Sequence, residues 1–587
     1  MKKKYIILIL ILAVVGTWGS CKKDFLTIAP AGSLDQSLLQ TEKGINTLLI
    51  GAYSMIDGTT NQNGSGWSST SSNWVFGSIR GMEANKGTDG GDQPDINPIQ
   101  TFSETATNPY LNDKWRNTYE GVSRCNIVIQ VATKAVAAGK VSQAVADPLI
   151  LQAKALRGWY HFEAWRMWQT IPYLDETTDP VTVTNSADVT DKILADLQLG
   201  TTLPQNMGAI GRFNQTVCQV FYGKALMQMK HDYAGALVQL TAALGGTKPN
   251  GAAIGLDPSY ATIFDAANRN DLESIYTVQY SVNDGSGAWN ASVGEVLNFP
   301  YKSGGSPGGC CGFFDPTQEF VNSFRTAGGL PLLDNTYNNF PVKNDFGIAA
   351  APATGADPFV TDAGPLDPRL DWTVGRRGIP YWDWGLHTGQ DWIRDQTYSG
   401  PYSPKKEVYK KSQEKILTDI SSWTSGYTAN GYRMIRYADL LLLIAECQIE
   451  TGNLAGAFAN INLVRNRAAN SAGWVKMPDN TNAANYVINP YPSATAYPFD
   501  TKANAQLALR MERKLELGTE GHRWFDLNRW GNTVTELSRV LSYEKTMQWG
   551  NNLYGAATVT NKAVVFPIPQ RQLDLSNGKL VQNPALN

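Results

Sequence analysis

Residues 433–468 read RMIRYADLLLLIAECQIETGNLAGAFANINLVRNRA, and their pattern indicates the class of fold. Its apolar residues recur at the spacing of an α-helix from Arg433 to Glu450, stop at Gly452-Asn453, and resume through Ala468. A glycine and an asparagine between two periodic runs indicate a turn between two helices. The stretch therefore predicts a pair of antiparallel helices joined by a short connection.

A second stretch repeats this pattern. Val217 to Met229 has helical spacing, the chain turns at His231-Asp232-Tyr233, and the helix resumes through Ala243. Small or apolar residues follow the two turns at the same offsets: Ala236, Leu240 and Ala243 in one copy, and Ala457, Ile461 and Val464 in the other. This arrangement resembles the tetratricopeptide repeat, in which small residues lie where two antiparallel helices cross closely.

More degenerate candidates for the same unit lie nearer the amino terminus. Residues 36–57 with 113–131 form one candidate pair, and residues 151–199 form another. Together with 217–243 and 433–468, they give about four helical pairs. We therefore expect a mainly helical, all-α protein built on a tetratricopeptide-like scaffold.

Two long irregular segments separate the helical pairs. Residues 58–112 are rich in Gly, Ser, Asn, Asp and Thr, and residues 281–432 are rich in Gly, Pro, Asp, Trp and Tyr. Loops of this length in a compact protein usually carry function, and their many aromatic residues distinguish them from disordered linkers. We expect them to form a large loop-rich face that binds a ligand.

The amino terminus has the three parts of an export signal. Residues 2–4 are lysines, Tyr5 to Val15 form a nearly unbroken apolar run, and small residues precede Cys21. The run is shorter than the roughly 20 residues that cross a bilayer. Small residues before a cysteine resemble the lipobox of bacterial lipoproteins, which implies removal of residues 1–20 and lipidation of Cys21 by a diacylglycerol and an amide-linked acyl chain. The alternative is an ordinary signal peptide followed by an incidental cysteine.

Composition narrows the class of ligand. Without residues 1–20, 567 of the 587 residues remain, and the loss of three lysines changes the formal net charge from −2 to −5. A mildly acidic chain argues against nucleic acid, whose binding needs a basic face. Only 17% of the residues are charged, whereas 10% are aromatic and 17 are tryptophans. This balance favours recognition of flat, weakly charged surfaces such as sugar rings.

Short motifs occur in a fixed order along the whole chain. They are Ser20-Cys21-Lys22-Lys23-Asp24-Phe25-Leu26, Asp367-Pro368-Arg369-Leu370, Gly378-Ile379-Pro380-Tyr381, Arg436 to Leu440, Ile461 to Ala468, Arg510-Met511-Glu512-Arg513, Glu520 to Gly531, and Phe566-Pro567-Ile568-Pro569. In this order they resemble the SusD/RagB family of surface lipoproteins of the Bacteroidetes. The resemblance implies a single domain over residues 21–587 with four tetratricopeptide-like pairs. It also implies a lipid anchor in the outer membrane, facing the cell exterior, a glycan ligand, and a SusC-like TonB-dependent barrel as partner.

The sequence nominates no active site. Arg510, Glu512, Arg513 and Glu516 have the spacing of intrahelical and interhelical ion pairs, and we interpret His522 as a packed histidine. Ser306 stands in a Gly-x-Ser-x-Gly pattern without the strand and helix that a nucleophile elbow requires. Zinc, P-loop and EF-hand motifs are absent from the sequence. We predict a protein without catalytic residues, cofactor or metal, although the 52 acidic residues leave a paired-carboxylate glycosidase open.

The aromatic residues of the loops are the candidates for ligand contact. Aromatic rings stack on the C–H faces of sugars, while polar side chains bond the hydroxyls. The residues that we predict to contact a ligand are Trp74, Arg377, Trp382, Trp384 and Tyr398, with Trp67 and Trp289 as second-rank candidates.

Adjacent cysteines lie in the same loop-rich region. Cys310-Cys311 is flanked by glycines on both sides, and an exported chain permits disulfides. We predict a vicinal disulfide whose flat, weakly polar surface forms part of the ligand site. The alternative is two reduced or separately paired cysteines in a buried turn.

These inferences predict a cell-surface lipoprotein that captures an oligo- or polysaccharide and delivers it to a SusC-like transporter. Three other functions stay open. The protein could capture peptide for import, act as a surface glycosidase, or serve as a scaffold that binds protein through its repeats.

Overall fold

The computed structural model describes residues 39–58, 66–302, 305–350 and 356–586. The described helices of seven or more residues are α1 (Glu42–Tyr53), α2 (Pro109–Ala137), α3 (Gln143–Trp168), α4 (Thr190–Gly200), α5 (Gln215–Ala225), α6 (Tyr233–Leu244), α7 (Tyr437–Glu450), α8 (Leu454–Ala468), α9 (Lys502–Leu517), α10 (Arg523–Arg529), α11 (Thr533–Glu544) and α12 (Gln548–Tyr554). The described strands are β1 (Ser274–Thr277), β2 (Thr326–Ala327), β3 (Leu330–Pro331), β4 (Val374–Gly375), β5 (Ser403–Pro404) and β6 (Arg433–Arg436). Shorter helical turns, among them Gly66–Ser69, Trp74–Ile79, Ile96–Gln100, Gln318–Asn322 and Gln570–Leu575, lie in the connections.

The helices pack in successive pairs. Helix α1 packs on α2, α3 on α4, α5 on α6, and α7 on α8. Neighbouring pairs contact each other through α2 and α3, α4 and α5, and α6 and α7, while α9 packs on α7 and α8. This succession confirms the predicted mainly helical, tetratricopeptide-like scaffold.

The two clearest sequence copies begin their second helices in the same way. Asp232 accepts a hydrogen bond from the Gly235 amide at 2.8 Å, and Asn453 accepts one from the Gly456 amide at 2.9 Å. Both are N-caps, which satisfy a backbone N–H at the start of a helix. The residues at the shared offsets are all fully buried, namely Ala236, Leu240, Ala243, Ala457, Ile461 and Val464. The sequence repeat therefore follows the contacts between helices.

The segment between α6 and α7 forms the loop-rich face. Strand β1 pairs antiparallel with β6, β2 with β3, and β4 with β5. The face has a small core of its own, which consists of Phe299, Tyr381, Trp392, Val408 and Tyr409. Residues of the first irregular segment join it, because the Asn85 side chain donates to the Ser399 carbonyl at 2.8 Å.

Buried ion pairs tie this face to the helices. Arg369 pairs with Glu512 and Glu516 of α9 at 2.6 and 3.0 Å. Arg436 of β6 pairs with the same Glu516 at 2.6 Å, and Lys406 pairs with Glu520 at 2.8 Å. Removing charges from water is costly unless each one meets a partner, and these groups do.

The ion pairs predicted for the carboxyl-terminal motif are only partly present. Arg513 pairs with Asp439 and Asp526 at 2.8 Å each, and Glu512 also pairs with Arg465 at 3.0 Å. The prediction is wrong for Arg510. No carboxylate in the described ranges lies within ion-pair distance of its guanidinium, because the acids nearest to it are engaged by other cations.

Two predictions about the cysteines have different outcomes. Cys125, Cys218 and Cys447 are buried and reduced, as expected for small core residues. Cys21 and the predicted signal peptide lie outside the described residues, so lipidation stays a prediction. Within the described ranges, no helix combines the length and the apolar character that a membrane span requires.

Candidate functional site

A disulfide between adjacent cysteines marks the loop-rich face. Cys310 and Cys311 are bonded to each other, and the peptide between them is cis. Cys311 is buried, whereas Cys310 is half-buried and the preceding Gly309 is exposed. The predicted vicinal disulfide is therefore present, and its Cys310 side reaches the surface.

Hydrogen bonds from three directions hold this disulfide loop. The Gly308 amide donates to the Tyr409 hydroxyl at 2.8 Å, and the Gly312 amide donates to the Phe299 carbonyl at 3.0 Å. The Phe314 amide donates to the Lys86 carbonyl at 2.8 Å. Since Phe299 and Tyr409 belong to the buried core of the face, the loop is fixed on a packed support.

Tyr301 and Arg394 lie beside the disulfide loop. A Cβ atom on Gly312 would be 3.0 Å from the Tyr301 Cβ and 3.6 Å from the Arg394 Cβ. The Arg394 guanidinium lies 5.5 Å from the centre of the Tyr301 ring, a cation–π distance. Arg394 also pairs with Asp89 at 2.8 Å and Asp92 at 2.6 Å, and its side chain is 32% exposed.

Trp384 belongs to another loop and packs on Tyr409, the residue that supports the disulfide loop. Its indole N–H donates to the Tyr409 carbonyl at 3.1 Å, and the two rings meet edge to face at 5.8 Å. Trp382 lies beyond it, half-buried, with its ring 5.2 Å from that of Trp372. The carboxylate of Asp383, between the two tryptophans, already accepts hydrogen bonds from the backbone amides of Lys411 and Ser412.

Trp423 is the most exposed aromatic residue near the disulfide, and it is not among the residues predicted from the sequence. Its side chain is 63% exposed. The next residue, Thr424, donates to the Gly308 carbonyl at 2.5 Å, so the Trp423 loop borders the disulfide loop. We call the surface made by Tyr301, Cys310, Trp384, Arg394 and Trp423 the platform. Only its position in the aromatic-rich segment 281–432 could have indicated Trp423.

Two predicted ligand contacts are corrected. Trp74 is only 2% exposed, with its indole N–H donating to the Gly294 carbonyl at 2.9 Å and its ring edge against Phe314. Arg377 is only 1% exposed and pairs with Asp345 and Asp357 at 3.4 and 2.7 Å. Buried side chains with satisfied polar groups offer no surface to a ligand, so both serve packing.

The remaining predicted residues are spread over other parts of the face. Trp67 is half-buried and donates to the Tyr110 hydroxyl at 2.8 Å. Tyr398 is half-buried and donates to the Asn97 side chain at 2.7 Å. Trp289 is 46% exposed but borders a groove against α1 and α2. The structure thus brings Cys310, Cys311 and Trp384 together. It places Tyr398 beside Gly90, next to the Asp89 that pairs with Arg394, and places Trp67 and Trp289 elsewhere.

The carboxylates around the platform are suited to holding its shape. Asp89 and Asp92 both pair with Arg394, and Asp391 pairs with Lys302 at 3.3 Å. Partial burial opposes ionisation of Asp89, but the amides of Asp92 and Gly91 and the Arg394 guanidinium hold its pKa below the usual value. A glycosidase acid needs the opposite, a carboxyl that keeps its proton near neutral pH.

The histidine of the carboxyl-terminal motif is half-buried. His522 lies near Asp439 and Lys224, and burial lowers its pKa to about 4. It is therefore neutral at physiological pH and packed, as the sequence indicates. Among the described residues, no group of three His, Cys, Asp or Glu side chains has the arrangement of a metal site.

Comparisons with known proteins agree with this architecture. Residues 272–585 match the model of the SusD family, and residues 24–217 match a family described as starch-binding and associating with the outer membrane. The SusD-like protein P25 of Formosa agariphila is 22% identical over 498 residues, which cover 81% of this chain and 79% of that protein.

Solved structures with the same fold include two from Bacteroides species. Surface glycan-binding protein A from Bacteroides thetaiotaomicron, solved with laminarihexaose, is 20% identical with a TM-score of 0.64 and covers 92% of this chain and 99% of its own. A SusD superfamily protein from Bacteroides vulgatus is 19% identical with a TM-score of 0.62 and covers 93% and 99%. Because the family model spans more than half of its length, the chain belongs to the SusD family.

Proposed function

We propose that this protein is a non-catalytic glycan-binding lipoprotein of the outer membrane, and that the platform binds the sugar. The observation that carries the proposal is the half-buried disulfide beside Tyr301, Trp384 and the exposed Trp423. Rings and a disulfide offer flat, weakly polar surfaces to the C–H faces of sugars. Arg394 and its aspartates offer donors and acceptors to sugar hydroxyls within the same surface.

The carrier role extends this proposal. Lipidated Cys21 would hold the protein at the outer face of the outer membrane, and a SusC-like TonB-dependent barrel would receive the glycan. Support comes from membership of the SusD family and from the described association of the second matching family with the outer membrane. The ligands named for two structural neighbours, laminarihexaose and laminarin, and the starch of the family description make glucans the first glycans to test.

The direct test is titration calorimetry of the chain carrying Cys21→Ala. The panel contains laminarihexaose, maltohexaose, a fructan and neutral host glycans, and the same mixtures are analysed for products. Binding of intact glycan supports the proposal. Shortened glycan would identify an enzyme, and silence across the panel would favour peptide capture or a protein scaffold.

Tryptophan substitutions locate the site. Trp423→Ala should weaken glycan binding at least about tenfold, because covering one large apolar side chain that was exposed to water contributes about 1.5–3 kcal/mol. Its unfolding free energy should change by less than about 0.5 kcal/mol, since the ring is largely exposed. Trp289→Ala is the matched control, an exposed tryptophan outside the platform that should leave binding intact. Loss of binding in Trp289→Ala alone would move the site to the groove against α1 and α2.

The contribution of the disulfide has its own test. A Cys310→Ser, Cys311→Ser double variant should bind the same glycan more weakly, because it loses the flat sulfur surface but keeps Trp423 and Trp384. Mass spectrometry of the unreduced protein should find no alkylatable thiol at either position. Two free thiols in the unchanged protein, or full affinity of the double variant, would remove the disulfide from the proposed site.

A further inference from the structure

A second pocket lies on the carboxyl-terminal helices and shares no lining residue with the platform. It has a volume of about 80 Å³ and is bordered by α9, α10 and α11. Leu333, Met511 and Leu527 form an apolar wall. Arg510, Lys514 and Arg523 line the same pocket, so one small space meets both apolar and cationic side chains.

The pocket carries excess positive charge. Lys514 pairs with Glu319 at 2.7 Å, and Arg523 pairs with Glu536 at 2.8 Å. Arg539 pairs with both of these glutamates, at 2.6 and 2.8 Å. The cationic side chains here are Arg510, Lys514, Arg523 and Arg539. The carboxylates are Glu319 and Glu536, so the formal charge around the pocket is +2.

Arg510 is the group that lacks a partner. Within the described ranges, its guanidinium has neither a carboxylate at ion-pair distance nor a hydrogen-bond acceptor, although it is only half-exposed. It lies 5.2 Å from the centre of the Trp530 ring, and Arg529 lies 5.1 Å from the same ring. The nearest acids are engaged elsewhere, since Glu446 holds Arg529 and Glu450 holds Lys502. The guanidinium is therefore held in place with its N–H groups available.

We infer that this pocket binds a carboxylate, carried either by a free small acid or by a uronic acid residue of a glycan. A guanidinium presents paired N–H groups that match the two oxygens of a carboxylate. A carboxylate also has a carbon body that can rest on Leu333, Met511 and Leu527. Phosphate and sulfate have oxygens on every side and would leave some of them against this apolar wall.

The surroundings of Arg510 favour a bound anion. Burial lowers the pKa of Arg510, the carboxylates of Glu446 and Glu450 oppose this effect, and the positive charges of Arg523 and Arg529 add to it. A bound anion would offset both the burial and the repulsion. The Asn532 side-chain oxygen, which also lines the pocket, is buried without a hydrogen-bond partner in the described structure and could accept from a ligand hydroxyl.

Calorimetry of the chain carrying Cys21→Ala tests this inference with four probes. Sodium acetate represents a free small acid, sodium D-glucuronate an acidic sugar, D-glucose a neutral sugar, and sodium phosphate another oxyanion. We expect glucuronate to bind and glucose to be silent. Binding of acetate as well would show that a free carboxylate suffices, whereas binding of glucuronate alone would assign the pocket to sugar acids.

Variants of Arg510 tie the signal to the pocket. Arg510→Gln should weaken glucuronate binding at least about tenfold, because it loses a charge-assisted hydrogen-bond pair. Arg510→Lys, which keeps the charge and loses the planar fork, should fall between Arg510→Gln and the unchanged protein. Arg116→Gln is the control, since Arg116 is 49% exposed and lies on α2. Arg510→Gln should still bind any neutral glycan that the platform binds, so the two sites are judged separately.

Three results would overturn the inference. They are silence of both carboxylates, unchanged glucuronate affinity in Arg510→Gln, and tighter binding of phosphate than of glucuronate. The Arg510 variants separate this inference from the function of the platform, because a glucuronate signal that arises at the platform would not change in Arg510→Gln.

Discussion

At the scale of single residues, the protein buries many charged side chains. Arg369, Arg436 and Arg465 are almost completely buried, and each meets at least one carboxylate. Arg510 is an exception, because it has no carboxylate partner in the described ranges. At the surface, Arg394 of the platform pairs with two aspartates. Buried ion pairs in this molecule join loops to helices and helices to one another.

The acid Glu544 should make stability depend on pH. Burial and the nearby charge of Glu319 raise its pKa to about 8, while its oxygen accepts the Glu319 amide at 2.7 Å. The folded state therefore keeps a proton that the unfolded state releases above its usual pKa of 4.5. Since the folded state binds more protons in this window, stability falls as the pH rises from about 4.5 to 8.

Replacing Glu544 by glutamine should flatten this dependence. The amide keeps the oxygen that accepts the Glu319 N–H and cannot ionise. Between pH 5.5 and 7.5, the unchanged protein should lose up to about 1.4 kcal/mol more per pH unit than Glu544→Gln, measured by urea unfolding. Glu120→Gln, at a side chain that is 51% exposed, is the control. Equal slopes for the two proteins would show that Glu544 is already ionised when folded.

Residue-level prediction from the sequence succeeded where one chemical property decided the outcome. The sequence predicts the disulfide between the adjacent cysteines, because cysteines of a chain that carries a predicted export signal tend to oxidise. The roles of Trp74 and Arg377 could not be predicted, because a sequence without periodicity does not reveal which side of a loop faces inward. Tyr301 and Trp423 were missed for the same reason.

At the scale of elements, the helix pairs depend on close approach at a few positions. Gly121 of α2 faces the ring of Tyr160 on α3, and a Cβ at this glycine would lie only 2.5 Å from the ring. Gly51 of α1 has no atom within 4 Å of the corresponding position. Two glycines in helices should therefore respond to the same substitution in opposite directions.

Gly121→Ala should destabilise the protein by about 1–3 kcal/mol, because the added methyl forces Tyr160 or the helix to move. Gly51→Ala should be neutral or stabilising by up to about 1 kcal/mol, because alanine favours the helix and meets no neighbour. Thermal or urea unfolding of both variants checks this pair. Equal effects would mean that the crossing of α2 and α3 adjusts without strain.

The sequence predicts the helices better than the connections because helices repeat. The small or apolar residues at fixed offsets after Asp232 and Asn453 can be read from the sequence, and every one of them is buried in the structure. By contrast, β1 and β6 are far apart in the sequence, and no local sequence pattern predicts their pairing. The arrangement of the loop-rich face follows from such distant contacts, so only its existence was predictable.

At the scale of the whole molecule, the proposed lipid anchor at Cys21 would determine where the protein acts. In a bacterial host with lipoprotein export, the unchanged chain should fractionate with membranes and incorporate labelled palmitate. Cys21→Ala should do neither, because multiple acyl chains are needed for stable anchoring. Cys125→Ala, at a buried cysteine of α2, is the control and should remain in the membrane fraction. Membrane-bound Cys21→Ala would contradict the assignment of the anchor.

Contacts between the two ends of the chain also determine when the protein can finish folding. Gly77 lies so close to Gly521 that no side chain fits between them, and the Trp168 indole donates to the Pro567 carbonyl at 3.2 Å. Because a chain is synthesised amino terminus first, these surfaces cannot close until its last segment is available. Until then, Trp168 and the segment around Trp74 remain open to water and to neighbouring chains. The carboxyl-terminal motif is thus the part that completes the assembly, so a chain truncated before it would be left with an unfinished core.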